Sequence, residues 1–395
     1  MYTRNLYKRL KAHLRSRQVT VITGMRRVGK TTAMRYLLEQ VRHANKIYLD
    51  CERVEIRALL GQPDYEAIIE ALSLLPLDFT KPCVIALDEI QLAPHLPSLI
   101  KYMYDNYPVK LIVTGSSSYY MKNQFSESLA GRKQIFEMYP LSFFEYLTFT
   151  EAGNPSPDRY GWQKYNPAWY NRYKSAYEDY VRFGGFPEVA LQKNKKDKKE
   201  YLHDIIDSYI ELDVKLLSDY SASEDLYKLA KLLAARVGSK VDYSKLGSIA
   251  GINRQKLKEY LELFAYTYFI HLVRPFSRNI DKEISQQPKL YFADTGILNE
   301  LAGSQISSGQ LFENAIAVQL KSQGTVNYYQ KKTGQEIDFI LDEETAIEVK
   351  ETATQQDLTV LWQRCETIHL SKSYLISRHV PTGKFREFIW GGNIY

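Results

Sequence analysis

The stretch GMRRVGKTT, residues 24–32, directly follows the apolar run VTVIT (19–23) and directly precedes a segment of helical periodicity. Its Gly24, Gly29, Lys30 and Thr31 fall at GxxxxGK[ST] spacing, in the strand-before, helix-after setting that this spacing needs. Glycines let backbone amides turn inward around phosphates, and Lys30 reaches the terminal phosphates. The Thr31 hydroxyl, with Thr32 beside it, stands at a helix N-terminus whose dipole favours negative charge and where magnesium can be ligated. The reading is a site for ATP and Mg.

Outward from this loop, residues 19–114 alternate short apolar runs (KIYLD, CVIALD, KLIVTG) with helical patterns. That alternation implies an α/β domain, a parallel sheet with helices on both faces. The β-like KQIFEMY and the following PLSFFEYL are expected to close it near 148, giving a first domain of residues 1–150. A second half-site is expected at the end of CVIALDEIQ, where Asp88 would hold magnesium through water and Glu89 would orient and polarise the attacking water. An acidic strand end facing solvent is the plainer alternative. The next strand ends in VTGSSS, where Thr114 or Ser116 is placed to sense the γ-phosphate.

These three strand ends together resemble the AAA+ and related ATPases, which insert a strand between the phosphate loop and the acidic strand. That resemblance makes Arg132, in LAGRKQ, the arginine that touches the γ-phosphate, in cis or from a neighbouring subunit of a homo-oligomer. Arg26 and Arg27 compete for the role, and a helix-capping Arg132 fits the sequence equally.

The chain of 395 residues leads to an expectation of several domains, and its 45% hydrophobic and 25% charged composition is that of an ordinary globular protein. No apolar run approaches the roughly 20 residues needed to cross a bilayer. The basic N-terminus places Leu6, Leu10 and Leu14 at helical spacing and reads as an amphipathic helix, not an address. Cys51, Cys83 and Cys365 have no metal or disulfide spacing, so the expected compartment is the cytoplasm. A net charge of +6 favours polyanions such as DNA without demanding them. The 31 tyrosines suit helix interfaces or base stacking, with packing the better use for an amphipathic ring.

Residues 151–221 read as an irregular, Gly- and Pro-rich linker followed by helices, and KNKKDKKE (193–200) as a solvated loop or helix start, a nucleic-acid patch being the alternative. Residues 222–300 hold three helical patterns and two β-like segments, YFIHLV and KLYFAD, the region that the family resemblance given below makes a winged-helix module. Within it Ser244–Ala250, the turn at Gly251 and a helix capped by Asn253 form a helix-turn-helix, leaving Arg254, Gln255 and Lys258 exposed as a recognition helix would present them to DNA. A packing or protein-contact module is the alternative.

In residues 301–395 the stretches EIDFIL and TAIEVK are both β-like. Glu348 and Lys350 project from one face, and a hairpin would set Asp338 beside Glu348. Side-by-side carboxylates repel unless a cation sits between them, which favours magnesium or manganese. The order helix, strand, acidic strand, ExK strand, helix resembles the PD-(D/E)XK nuclease fold. That resemblance makes Glu313 a further ligand, Lys350 a phosphate-facing cation and the basic QKK (330–332) a supporting feature. A nuclease-like fold kept for DNA binding or assembly is the alternative. Along its whole length, through GMRRVGKTT, LDEIQ, TGSSS, AGR, PLSFFEY, RFGGFPE, KLYFADTGIL and EIDFI…IEVK, the sequence resembles a prokaryotic ATPase family. In that family an AAA-like domain precedes a winged-helix module and an uncharacterised C-terminal domain. Three functions follow as expectations: an ATPase acting on or with DNA, a nucleotide-dependent signalling or scaffold switch binding a protein partner, and an ATP-gated endonuclease.

Overall fold

The computed structural model describes residues 2–116, 129–214, 223–277, 286–331 and 334–395, and divides into two compact units. Unit 1 comprises Met1–Tyr139 with Tyr266–Tyr268; unit 2 comprises Pro140–Ala265 with Phe269–Tyr395.

Unit 1 is built on five parallel strands: β1 (Val19–Thr23), β2 (Lys46–Asp50), β3 (Cys83–Asp88), β4 (Val109–Gly115) and β5 (Lys133–Glu137). Their spatial order is β2-β3-β4-β1-β5, so β4 is inserted between the strand that feeds the glycine loop and the strand that ends in Asp88. Every residue of β1 and β3 is buried, as unbroken apolar runs must be when both faces of a parallel sheet are covered. The helix Leu96–Asn106 contributes Leu96, Leu99, Ile100 and Met103 to the core that also holds Ile85, Leu87, Leu111 and Val113. Truncating one of these to alanine costs about 2–5 kcal/mol.

Unit 2 holds a seven-stranded sheet in the order β12-β11-β10-β9-β8-β6-β7. The strands are β6 (Ile270–Pro275), β7 (Lys289–Phe292), β8 (Val326–Gln330), β9 (Glu336–Leu341), β10 (Thr345–Thr352), β11 (Lys372–His379) and β12 (Ile389–Trp390). The antiparallel hairpin β6–β7 that follows three helices, Ser223–Ala234, Tyr243–Ala250 and Arg254–Tyr266, continues into β8 by the pairs Arg274–Asn327 and Pro275–Tyr328. The expected divisions at 221/222 and 300/301 therefore run inside one body and one sheet.

The helix Phe143–Phe149, the expected end of the first domain, packs within unit 2, where Phe143 meets Tyr177, Tyr180 and Trp390 at centroid distances of 4.9, 5.6 and 6.0 Å. In KNKKDKKE the expected helix start is present: Asn194 caps the helix Lys195–Ser208, Lys193, Lys195, Lys196 and Lys199 are exposed, and Lys198 is buried against Asp179. One expectation is corrected here: the supposed irregular stretch after 151 contains the start of a seventeen-residue helix, Pro167–Phe183, with Pro at its first turn and the Asn166 side chain accepting from the Trp169 amide.

Candidate functional sites

The phosphate loop leaves the C-terminal end of β1 and turns into the helix Lys30–Gln40. Gly24 has φ +153°, and a Cβ there would fall 2.2 Å from the Met138 carbonyl oxygen; Gly29 has φ +100° as the helix's cap residue. Both positions exclude a side chain, by space in the first case and by conformation in the second. The buried Lys30 ammonium donates to the Gly24 and Met25 carbonyl oxygens, each at 3.0 Å, which holds it folded over the loop. Thr31 is partly buried and Thr32 exposed at the first turn of that helix, which has no side-chain cap on its amides.

Because β4 lies between β1 and β3, Thr114 stands next to the acidic pair. Its hydroxyl donates to Asp88 Oδ1 and accepts from the Glu89 amide at 3.1 Å. The Tyr48 hydroxyl on β2 donates to Asp88 Oδ2 at 2.7 Å, so both carboxylate oxygens are oriented by neutral donors. Glu89 adopts φ +52°, a left-handed conformation uncommon for a residue with a side chain, at the exit of β3. Its Oε2 accepts from Gln91 Nε2, which also donates to Ser116 Oγ at 3.1 Å. Thr114 and Ser116 are thus tied to the acidic residues. Sequence reasoning missed Tyr48 and Gln91; the signal for Tyr48 was its place in KIYLD, one strand over from CVIALD.

The in-cis role for Arg132 is corrected. The Val19 amide donates to the Arg132 carbonyl at 2.8 Å, so Arg132 lies beside the first residue of β1, whereas the phosphate loop follows the last. A strand advances about 3.3 Å per residue, which sets the guanidinium at the far edge of the sheet. There it pairs with Asp105 (Nε to Oδ1, 3.0 Å) and lies over Tyr104. Arg26, inside the loop, is 3.6 Å from Glu52.

In unit 2 the antiparallel pairs of β9 and β10 run to Ile347–Phe339, the residues that adjoin Glu348 and Asp338 in sequence. Asp338 Oδ2 accepts from the Val349 amide at 2.8 Å. Glu348 Oε1 accepts from Lys350 at 2.7 Å and Arg364 at 3.3 Å, while its buried Oε2 has no hydrogen-bond partner among the described residues. Glu313, on the helix Ser308–Lys321, accepts from the Tyr291 hydroxyl at 2.6 Å. Burial first, then the Asp338 charge, pushes the carboxyls of Glu313 and Glu348 up to about 7; burial also raises Asp338. The sequence-predicted Glu313, Asp338, Glu348 and Lys350 therefore share one electrostatic neighbourhood. Among the described residues, however, no three of His, Cys, Asp and Glu converge tightly enough to hold a metal as they stand. Sequence reasoning missed Lys289, Tyr291, Glu336 and Arg364 in this neighbourhood. In QKK, Gln330 donates to Glu336 at 2.9 Å, and Lys332 lies outside the described residues.

On the helix-turn-helix, Gly251 takes φ +69° at the turn and the Asn253 side chain accepts from the Lys256 amide at 2.8 Å. Leu257, Tyr260, Leu261 and Phe264 are buried, and Arg254, Gln255 and Lys258 are exposed. Gln255 donates to Glu259 at 3.0 Å, and Lys258 lies 3.8 Å from Glu262, so acidic residues interleave this face.

A family model described as "AAA domain" matches residues 16–147, and two described as "Domain of unknown function" (DUF8612 and DUF4143) match 174–308 and 308–387. An uncharacterised protein of Methanocaldococcus jannaschii is 26% identical over 333 residues, covering 82% of this chain and 72% of its own length. An uncharacterised protein of Haemophilus influenzae is 23% identical over 387 residues, covering 93% of this chain and 90% of its own length. Among solved structures, a Walker-type ATPase of Pyrococcus abyssi aligns over 76% of this chain and 96% of its own, with TM-score 0.50 and 17% identity, a likeness of fold. The first unit is an AAA-like P-loop ATPase domain. Among the described residues no helix is long and apolar enough to cross a membrane.

Proposed function

We propose that the chain binds and hydrolyses ATP at the loop of residues 24–32 and uses the cycle to act on or with DNA through unit 2. The observation that carries the ATPase reading is the gathering of Lys30, Asp88, Glu89 and Thr114 at the C-terminal ends of β1, β3 and β4. Thr31 and Asp88 form an oxygen donor set suited to magnesium, and the two hydroxyls on Asp88 support the fit by holding its carboxylate in one orientation. Bound magnesium would neutralise phosphate charge. Lys30 exchanges its loop carbonyls for phosphate oxygens, and Glu89 orients a water once Gln91 releases it. Arg132, at the far edge, serves only a neighbouring subunit's nucleotide, so its use requires a homo-oligomer.

The DNA reading rests on the exposed Arg254, Gln255 and Lys258. A protein partner is the second reading, favoured by Glu259 and Glu262, which offset that positive charge. Asp338 and Glu348, with Glu313, are the residues that would hold magnesium or manganese for nuclease-like chemistry. The buried Glu348 Oε2, without a hydrogen-bond partner among the described residues, is the observation that fits a cation ligand. The test is ATP turnover alone and with single-stranded, duplex or branched DNA: stimulation by one form supports the DNA reading, and a rate indifferent to all three moves the cycle to a protein partner.

A further inference from the structure

The acidic cluster of unit 2 carries a cation that its sequence motif does not include. Lys289 opens β7, in the edge strand of the hairpin that follows the three helices, yet its side chain is only 6% exposed. The ammonium pairs with Glu336 and lies 5.5 Å from the centroid of the Tyr328 ring. Burial alone would lower its pKa, but Glu313, Glu336 and Asp338 surround it closely enough to raise it overall. Tyr291, two residues along the same strand face, donates to Glu313. Gly238, at φ +76°, lies against Glu313, where an added Cβ would meet Oε1 at 3.2 Å.

On the other side of Asp338, Lys350 and Arg364 both donate to Glu348 Oε1, leaving Oε2 buried and, among the described residues, without a hydrogen-bond partner on a side chain 8% exposed. The protein's own cations are thus seated at one end of the cluster by Glu313 and Glu336, and at the other by one oxygen of Glu348. That arrangement accounts for carboxylates that share a field without converging as metal ligands.

We propose that Lys289 is a resident cation, seated among Glu313, Glu336 and Asp338 where a divalent ion would otherwise be drawn, and that it competes with that ion for the site. The inference rests on the reading of Asp338 and Glu348 as cation ligands. Two or more buried carboxylates without a counter-charge either take up protons or bind a cation, so removing the ammonium raises the cluster's demand for one.

The test is calorimetric titration of the full chain with manganese chloride, comparing the parent with Lys289→Met, which removes the charge but keeps an unbranched side chain. The expected result is at least tenfold tighter binding in the variant, with a melting temperature lowered without metal and restored by manganese. Lys289→Arg, which keeps the charge, should stay at the parent's affinity. Equal or weaker binding by folded Lys289→Met overturns the proposal; if Asp338→Asn still abolishes that binding, the ligand assignment survives alone. Absence of binding in parent and variant overturns both. Should Lys289→Met not fold, Lys289→Gln, which also removes the charge but leaves a polar side chain beside Glu336, must show the same tightening.

Discussion

Two acidic pairs stand on the sheets of this chain, Asp88 and Glu89 at the end of β3 and Asp338 and Glu348 within β9 and β10, and their surroundings are opposite in kind. Asp88 and Glu89 are met by neutral donors, the hydroxyls of Tyr48 and Thr114 and the amide of Gln91. Asp338 and Glu348 are met by Lys289, Lys350 and Arg364. Neutral donors fix a carboxylate's direction and leave its charge available to a cation that comes and goes with a nucleotide. Built-in cations consume that charge, so an incoming ion has to displace them. The first pair is arranged for exchange, the second for retention.

The comparison is tested hardest at Glu89. Glu89→Gln should still bind ATP but lose turnover by about 10²–10⁴-fold, the usual worth of a positioned base. Lys30→Ala should instead weaken nucleotide binding by about 10- to 100-fold, the scale of a lost hydrogen bond to a charged group. Filter binding and phosphate release separate the two effects. A Glu89→Gln protein that hydrolyses at the parent's rate would remove Glu89 from the catalytic assignment.

The second pair predicts the reverse pattern. Asp338→Asn should abolish any manganese-dependent nicking of supercoiled DNA, leave DNA affinity equal or tighter, and leave ATP turnover within about twofold, since a negative charge facing phosphate is removed from a separate unit. Nicking that survives the substitution would displace the site.

The charge contrast also predicts a pH effect. Glu313 and Glu348 are held up to about 7, above their ordinary value of 4.5, because burial and Asp338 disfavour their charged forms. The folded state therefore binds protons more tightly than the unfolded chain. Their contribution is fully present below 4.5 and is lost as pH rises through about 7. Urea melts of the metal-free protein should show unit 2 less stable at pH 8 than at pH 5, the slope shrinking in Asp338→Asn.

How much of this contrast was legible follows from what each feature depends on. The parallel sheet and the loop were readable because a contiguous spacing, GMRRVGKT, sits between an apolar run and a helix. Asp338 and Glu348 were readable because a hairpin fixes the partner of each strand residue. Lys289 and Tyr291 were not, since Tyr291 meets Glu313 where the helix Ser308–Lys321 packs on β7 and Lys289 meets Glu336 from another strand, tertiary contacts that no local period announces. The Pro-rich segment before Trp169 misled for a related reason: Pro reads as a breaker, yet after Asn166 it is a helix start. Arg132 misled because a motif gives the order of residues along the chain and not the end of the sheet at which they lie.

If the helix Arg254–Tyr266 contacts DNA as proposed, replacing Arg254 and Lys258 together should lower duplex DNA affinity and reduce its salt slope by about 0.9 per lost phosphate contact. An unchanged slope would assign that face to a protein partner, as its interleaved Glu259 and Glu262 favour.

The smallest expected effect probes the neutral donors themselves. Asp88 holds two hydroxyls on two different oxygens, and Tyr48→Phe removes one while keeping the ring that lies beneath Arg35, whose guanidinium carbon is 5.3 Å from the ring centroid. Thr114 still orients the carboxylate through its other oxygen, so the loss should be one hydrogen bond's worth of positioning, about 1 kcal/mol, or roughly fivefold in turnover. A higher magnesium requirement should accompany it, with ATP affinity nearly unchanged because Lys30 and the loop are untouched. Thr114→Val should cost more, since that hydroxyl also receives the Glu89 amide at 3.1 Å and so fixes both acidic residues. If Tyr48→Phe instead turned over at the parent's rate at every magnesium concentration, Thr114 alone would be sufficient to aim Asp88. The two-sided neutral cradle would then cease to be what distinguishes this pair from the one in unit 2.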